Sequence, residues 1–113
     1  MPQYGVLIFS PAPADPMALS PEYIAALETY PAQIEELGGK AITGFALQPS
    51  TTATAIRGDV VTDGPFIEAK EVVAGFFVLE APSLEVAVEI AKLNPATIEG
   101  GVEVRPLFEP PAA

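Results

Sequence analysis

The chain has 113 residues, half of them hydrophobic, with a mean hydropathy of +0.37, which suits one domain with one modest core and is too apolar for a disordered chain. Five Lys and Arg against 15 Asp and Glu leave a net charge of −10, which repels nucleic-acid phosphates and anionic membrane surfaces. Neither Cys nor His occurs, so disulfides, thiolate nucleophiles, Ser–His–Asp triads and Cys- or His-ligated metals are excluded; no cofactor and no metal site are expected.

In chain order, Tyr4–Phe9 is an apolar run of β-formers and predicts a central strand buried on both faces. Three prolines between Pro11 and Pro16 deny donors to a ladder and predict a loop. Ser20-Pro21-Glu22 reads as a helix start, with Ser as N-cap, Pro in the first turn and Glu complementing the helix dipole. Ile24, Leu27, Ile34 and Leu37 keep helical spacing, and Gly38-Gly39 stops the helix. Pro31 falls inside this stretch, so a kink or break is expected near Thr29–Tyr30.

Lys40–Leu47 predicts a strand, and Gln48–Thr51 turns the chain. Ala53–Arg57 and Val60–Thr62 read as a hairpin across Gly58-Asp59. Asp63-Gly64-Pro65-Phe66 is a tight turn, and Glu71–Glu80 is a second long strand. Ser83 caps a second helix, whose apolar face is Leu84, Ala87, Val88 and Ala91, and Asn94-Pro95 ends it. Gly101–Leu107 is the last strand, with pairing weakened at Pro106. A single domain over residues 1–109 and a loose tail over 110–113 are expected.

The N-terminus lacks a basic segment followed by a long apolar one, and the longest run of small or apolar residues, Val72–Leu79, has eight residues, too short to cross a bilayer. The chain is therefore read as cytoplasmic. The order β–α–β, hairpin, β–α–β fits a ferredoxin-like α+β sandwich with both helices on one face of the sheet. The other face would be left uncovered, which on so apolar a chain predicts a homodimer built through sheet faces.

The segment Val61-Thr62-Asp63-Gly64-Pro65-Phe66-Ile67-Glu68-Ala69-Lys70-Glu71 resembles the signature of the DGPF-domain branch of the YCII-related proteins. The likeness extends to Leu19-Ser20-Pro21-Glu22, Leu47–Thr54, Gly75-Phe76-Phe77 and Val102–Leu107, and so covers nearly the whole chain. The resemblance implies a dimeric α+β barrel in which two ferredoxin-like sheets pack face to face. It implies no established activity. The founding branch carries a His–Asp pair suggested to be catalytic; without His, that mechanism is out of reach here. Some relatives of the DGPF branch are encoded beside, or fused to, extracytoplasmic-function sigma factors, which implies a regulatory context as one alternative.

Asp63 heads the signature turn. Its carboxylate either caps its own turn or acts as an acid–base or anchoring group at a pocket mouth. Gly64 supplies permissive dihedrals and Pro65 rigidity. Lys70 and Arg105 are two of five cations. They read either as structural ion pairs, Arg105 with Asp63 or Glu68, or as an anion clamp. Tyr4 and Tyr23 offer phenols to a pocket, although such residues are more often core or interface aromatics. Glu35, Glu36, Glu85 and Glu89 read as solvated helix faces. Ser10, Ser20, Ser50 and Ser83 lack a base, and two of them are N-caps.

These residues lead to a small dimeric domain that binds a small metabolite, an anion among the candidates, in a cleft near the Asp-Gly-Pro-Phe turn. Its site would use Asp63, Gly64, Pro65, Lys70, Arg105 and Tyr4. One alternative is a non-catalytic module partnering a sigma-factor-linked regulator. Another is a small enzyme with Asp63 as the acid–base group.

Overall fold

A computed structural model describes residues 1–65 and 69–111. Four strands form one antiparallel sheet: β1 (Gln3–Pro11), β2 (Lys40–Ala46), β5 (Glu71–Glu80) and β6 (Gly101–Pro106), in the order β2-β5-β1-β6. A separate hairpin pairs β3 (Thr54–Arg57) with β4 (Val60–Asp63). Helices α1 (Pro21–Glu36), α2 (Leu84–Lys92) and α3 (Ala96–Glu99) complete an α+β domain in the expected order, with one helix more than the sequence suggested. Of the signature turn, Phe66, Ile67 and Glu68 lie outside the described residues, as do Ala112 and Ala113 of the tail.

Local signals start the helices where they were expected. The Ser20 hydroxyl accepts from the Tyr23 N–H at 3.1 Å, and Ser83 does the same for Val86 at 3.2 Å, each satisfying a donor that the first helical turn leaves open. Of the kink or break expected near Thr29–Tyr30, the break does not occur: α1 runs on through Pro31. Pro31 removes the donor that would reach the Leu27 carbonyl, but it lies on the exposed side of the helix. Tyr30 and Ile34, on either side of it, are buried and hold the helix to the sheet.

The core lies between the helices and one face of the sheet. Tyr4, Val6 and Leu79 come from the strands, Tyr30 and Ile34 from α1, and Ala87 and Ile90 from α2. The Tyr30 ring meets Phe77 edge to face at 6.1 Å, and its hydroxyl donates to the Ile90 carbonyl at 2.8 Å, tying α1 to α2. The sheet's alternation sends Leu7, Phe9, Val73, Phe76, Val78 and Phe45 to the opposite face, as their cross-strand pairing requires. No described helix covers that face, so β1 is central in the sheet but deeply buried on one side only, not on both as its apolar run suggested. Phe76 and Phe45 stay 43% and 61% exposed, with ring centroids 5.9 Å apart.

Two further boundaries differ from expectation. β4 reaches Asp63, which pairs with Thr54, so the aspartate ends a ladder before the turn begins. After α2, which ends just before Asn94-Pro95 as expected, that pair leads at once into a further helical turn that was not expected. The buried Asn94 side chain accepts from the Ala96 N–H at 2.9 Å, and its carbonyl accepts from the Thr97 N–H at 3.1 Å. No helix among the described residues is long and apolar enough to cross a membrane.

Candidate functional site

A cleft of about 580 Å³ opens between the N-terminal half of α1 and the sheet, a volume typical of small-molecule sites. Its origin is the size of the residues beneath the helix. Gly44 and Ala46 on β2, and Ala74 and Gly75 on β5, line it, and they are too small to fill the space under Tyr23 and Leu27. Farther along α1, the larger Tyr30 and Ile34 close the same gap and make core. At the far end Gly100 lets the chain pass against β1; a Cβ there would overlap the Phe9 carbonyl.

The polar groups of the cleft come from three segments distant in sequence: Ser10 at the end of β1, Asp15 in the proline-rich loop, and Glu99 at the end of α3, with the Tyr23 phenol among them. The loop is fastened on both sides. The Ala12 N–H donates to the Lys70 carbonyl and the Ser50 N–H to the Pro13 carbonyl, both at 2.8 Å. The Asp15 carboxylate accepts from the Met17 N–H at 2.9 Å, closing the short turn Pro16–Ala18. Ala14 sits at φ 57°, a left-handed conformation uncommon for a residue with a Cβ. Burial raises the pKa of the Tyr23 phenol, the Ser10 side chain lowers it, and the nearby Glu99 carboxylate raises it again. The phenol is thus kept protonated, as a donor.

A second cleft of about 670 Å³ lies where the hairpin meets the open face of the sheet, lined by Phe9, Leu47, Ala55, Pro65 and Val72 among others. Of the six residues assigned to the site from the sequence, Asp63, Gly64, Pro65, Lys70, Arg105 and Tyr4, Pro65 alone lines either cleft, while Tyr23, weighed there as a second pocket phenol, lines the first. Asp63 is exposed at the end of β4. The Gly64 N–H donates to the Ala53 carbonyl at 2.6 Å, and Gly64 takes φ +100°, which a residue with a Cβ rarely adopts. Lys70 is exposed and contributes its carbonyl to the loop. Tyr4 is 4% exposed and belongs to the core.

Arg105 is exposed on β6 opposite Gly5, whereas Glu71, next to Lys70, pairs with Pro11. Those two partners lie six positions apart on β1, about 20 Å at the usual rise. No ion pair joins Arg105 to Asp63 among the described residues; pairing with Glu68 lies outside them. The structure therefore separates Arg105 from Lys70. The groups it gathers instead are Tyr23, Ser10, Asp15 and Glu99. Tyr23 was weighed from the sequence as a phenol for a pocket, and it lines this cleft. The placement of Glu99 depended on the unforeseen α3.

The family model described as YCII-related domain matches residues 12–110. An uncharacterized protein of Rhizobium meliloti (strain 1021) is similar to this chain, 41% identical over 69 residues. The match covers 54% of each of the two, so the chain spans about half the length of that curated relative.

Proposed function

Because the chain belongs to the YCII-related family, we propose that it is a small-molecule-binding domain of the DGPF branch, ferredoxin-like in fold, working as a homodimer. The ligand occupies the cleft under α1. The observation that carries this reading is the largely apolar cleft of about 580 Å³ with a half-buried phenol donor and a fastened loop at its rim. An apolar pocket with a few convergent polar groups is the usual form of a metabolite site. The dimer would join the uncovered sheet faces into an α+β barrel, and the exposed Phe45 and Phe76 support that arrangement.

A second reading places the ligand at the signature turn, and the observation favouring it is Pro65 on the wall of the second cleft. A metabolite-library thermal-shift screen on three proteins separates the two, since a ligand that binds the native state raises Tm. Leu27→Trp fills the first cleft, and Asp63→Ala removes the carboxylate of the turn. The expected outcome is a ligand whose Tm shift is lost in Leu27→Trp and kept in Asp63→Ala. The reverse pattern moves the site to the turn.

A further inference from the structure

We propose that the cleft under α1 takes a cation: an ammonium group carried on an apolar, ring-bearing body. The inference rests on the reading of this cleft as the ligand site and names its chemistry. The lining holds two carboxylates, Asp15 and Glu99, and no Lys or Arg among the described residues. An anion entering it would lose its water and face two like charges, on a chain whose net charge is already −10. A cation finds the opposite situation.

The aromatic content points the same way. Of the aromatic residues along the lining, Tyr23 on α1 and Phe77 on the helix-facing side of β5 offer their rings to the cleft, whereas the rings of Phe45 and Phe76 lie on the opposite face of the sheet. Ring faces attract ammonium groups through their quadrupole, and this attraction grows as water is excluded. Carboxylates at the rim with rings on the walls form a site that binds the charged head and the apolar body of an amine together. The protonated Tyr23 phenol adds a dipole whose oxygen accepts from an ammonium N–H. A fully hydrophilic polyamine would leave the floor of Ile8, Gly44, Ala46 and Gly75 unused, so the apolar body is part of the inference.

The test uses three probes of matched shape: tryptamine, tryptophol and indole-3-propionate, titrated by calorimetry at low ionic strength. Tryptamine should bind at least about tenfold more tightly than tryptophol, the ratio expected of a partly desolvated charge pair, and indole-3-propionate should be weakest. The double variant Asp15→Asn/Glu99→Gln should shrink the advantage of tryptamine to about twofold. Asn still caps the Pro16–Ala18 turn, and tryptophol affinity should stay as in the native chain. Glu35→Gln, an exposed change outside the cleft, controls for the general acidity of the chain and should leave the ratio intact.

Equal or tighter binding of indole-3-propionate, or an advantage for tryptamine that survives the double variant, overturns the cationic assignment. If Leu27→Trp then still abolishes binding, the cleft stands as the site with a different ligand class. If no probe binds, or Leu27→Trp leaves binding unchanged, the reading of the cleft as a ligand site fails as well.

Discussion

Tyr30 shows how one side chain can link two helices and the sheet. Its hydroxyl reaches the Ile90 carbonyl at 2.8 Å and its ring meets Phe77. Burial pushes the phenol up to about 12 against an ordinary 10.0, with the Asn94 side chain pulling it partly back. An unfolded Tyr30 loses its proton near pH 10, while the folded one keeps it. The unfolded state therefore binds fewer protons between the two values. Stability from this group is complete below pH 10 and falls as pH climbs toward 12, by on the order of 2–3 kcal/mol. Urea titrations at pH 8 and pH 11 should show about half of that loss, on the order of 1.4 kcal/mol, in the native chain and a smaller one in Tyr30→Phe. At the signature turn, by contrast, the backbone matters more than the carboxylate. Gly64→Ala places a Cβ at φ +100° and should cost about 1 kcal/mol. The Asp63 carboxylate accepts no hydrogen bond among the described residues, so Asp63→Ala should change stability by less than about 0.5 kcal/mol. Denaturant midpoints of the two variants check the pair.

At the scale of elements, α1 contains a conflict between local and tertiary preference. Pro31 sits in its interior, and the helix continues because Tyr30 and Ile34 anchor it on both sides. Pro31→Ala restores the missing donor to the Leu27 carbonyl at an exposed position, and should stabilise the protein by about 1–3 kcal/mol. The result that would contradict this account is a variant no more stable than the native chain by urea titration. The same helix divides the molecule by function. Its C-terminal half, over large side chains, is core. Its N-terminal half, over glycine and alanine, leaves the cleft open. The capping signals at Ser20 and Ser83, the Gly58-Asp59 hairpin loop and the limits of β5 were all readable, because each is set by residues a few positions apart. The short α3 was missed because Asn94-Pro95 reads equally well as a helix end and as the cap of another helical turn, and it is the burial of Asn94 that selects the second.

The whole molecule is a slab, 48 × 42 × 18 Å, the shape of one sheet with one helix layer. Its uncovered face carries Phe45, Phe76 and Val73, each at least 38% exposed. If two such faces meet, Phe45→Glu/Phe76→Glu should yield a monomer by light scattering at micromolar concentration, where the native chain is a dimer. The charges would be buried unpaired at the centre of the interface, and the helix-side core would keep its contacts. A native chain that is monomeric at that concentration would refute the sheet-face dimer.

Composition by itself removed whole classes of chemistry, since a chain without His or Cys has no imidazole or thiolate to use. Local patterning placed the strands and the two long helices, because hydrophobic period, caps and turn residues act over a single turn or hairpin. The candidate site was not legible in that way. Strand register set Arg105 opposite Gly5 and well away from Lys70, and no spacing along the chain encodes that separation. The cleft exists because small residues on β2 and β5 lie under α1, and because α3 brings Glu99 toward Tyr23. Those residues meet only once the sheet has paired, so the tertiary structure alone decided which polar groups share a pocket.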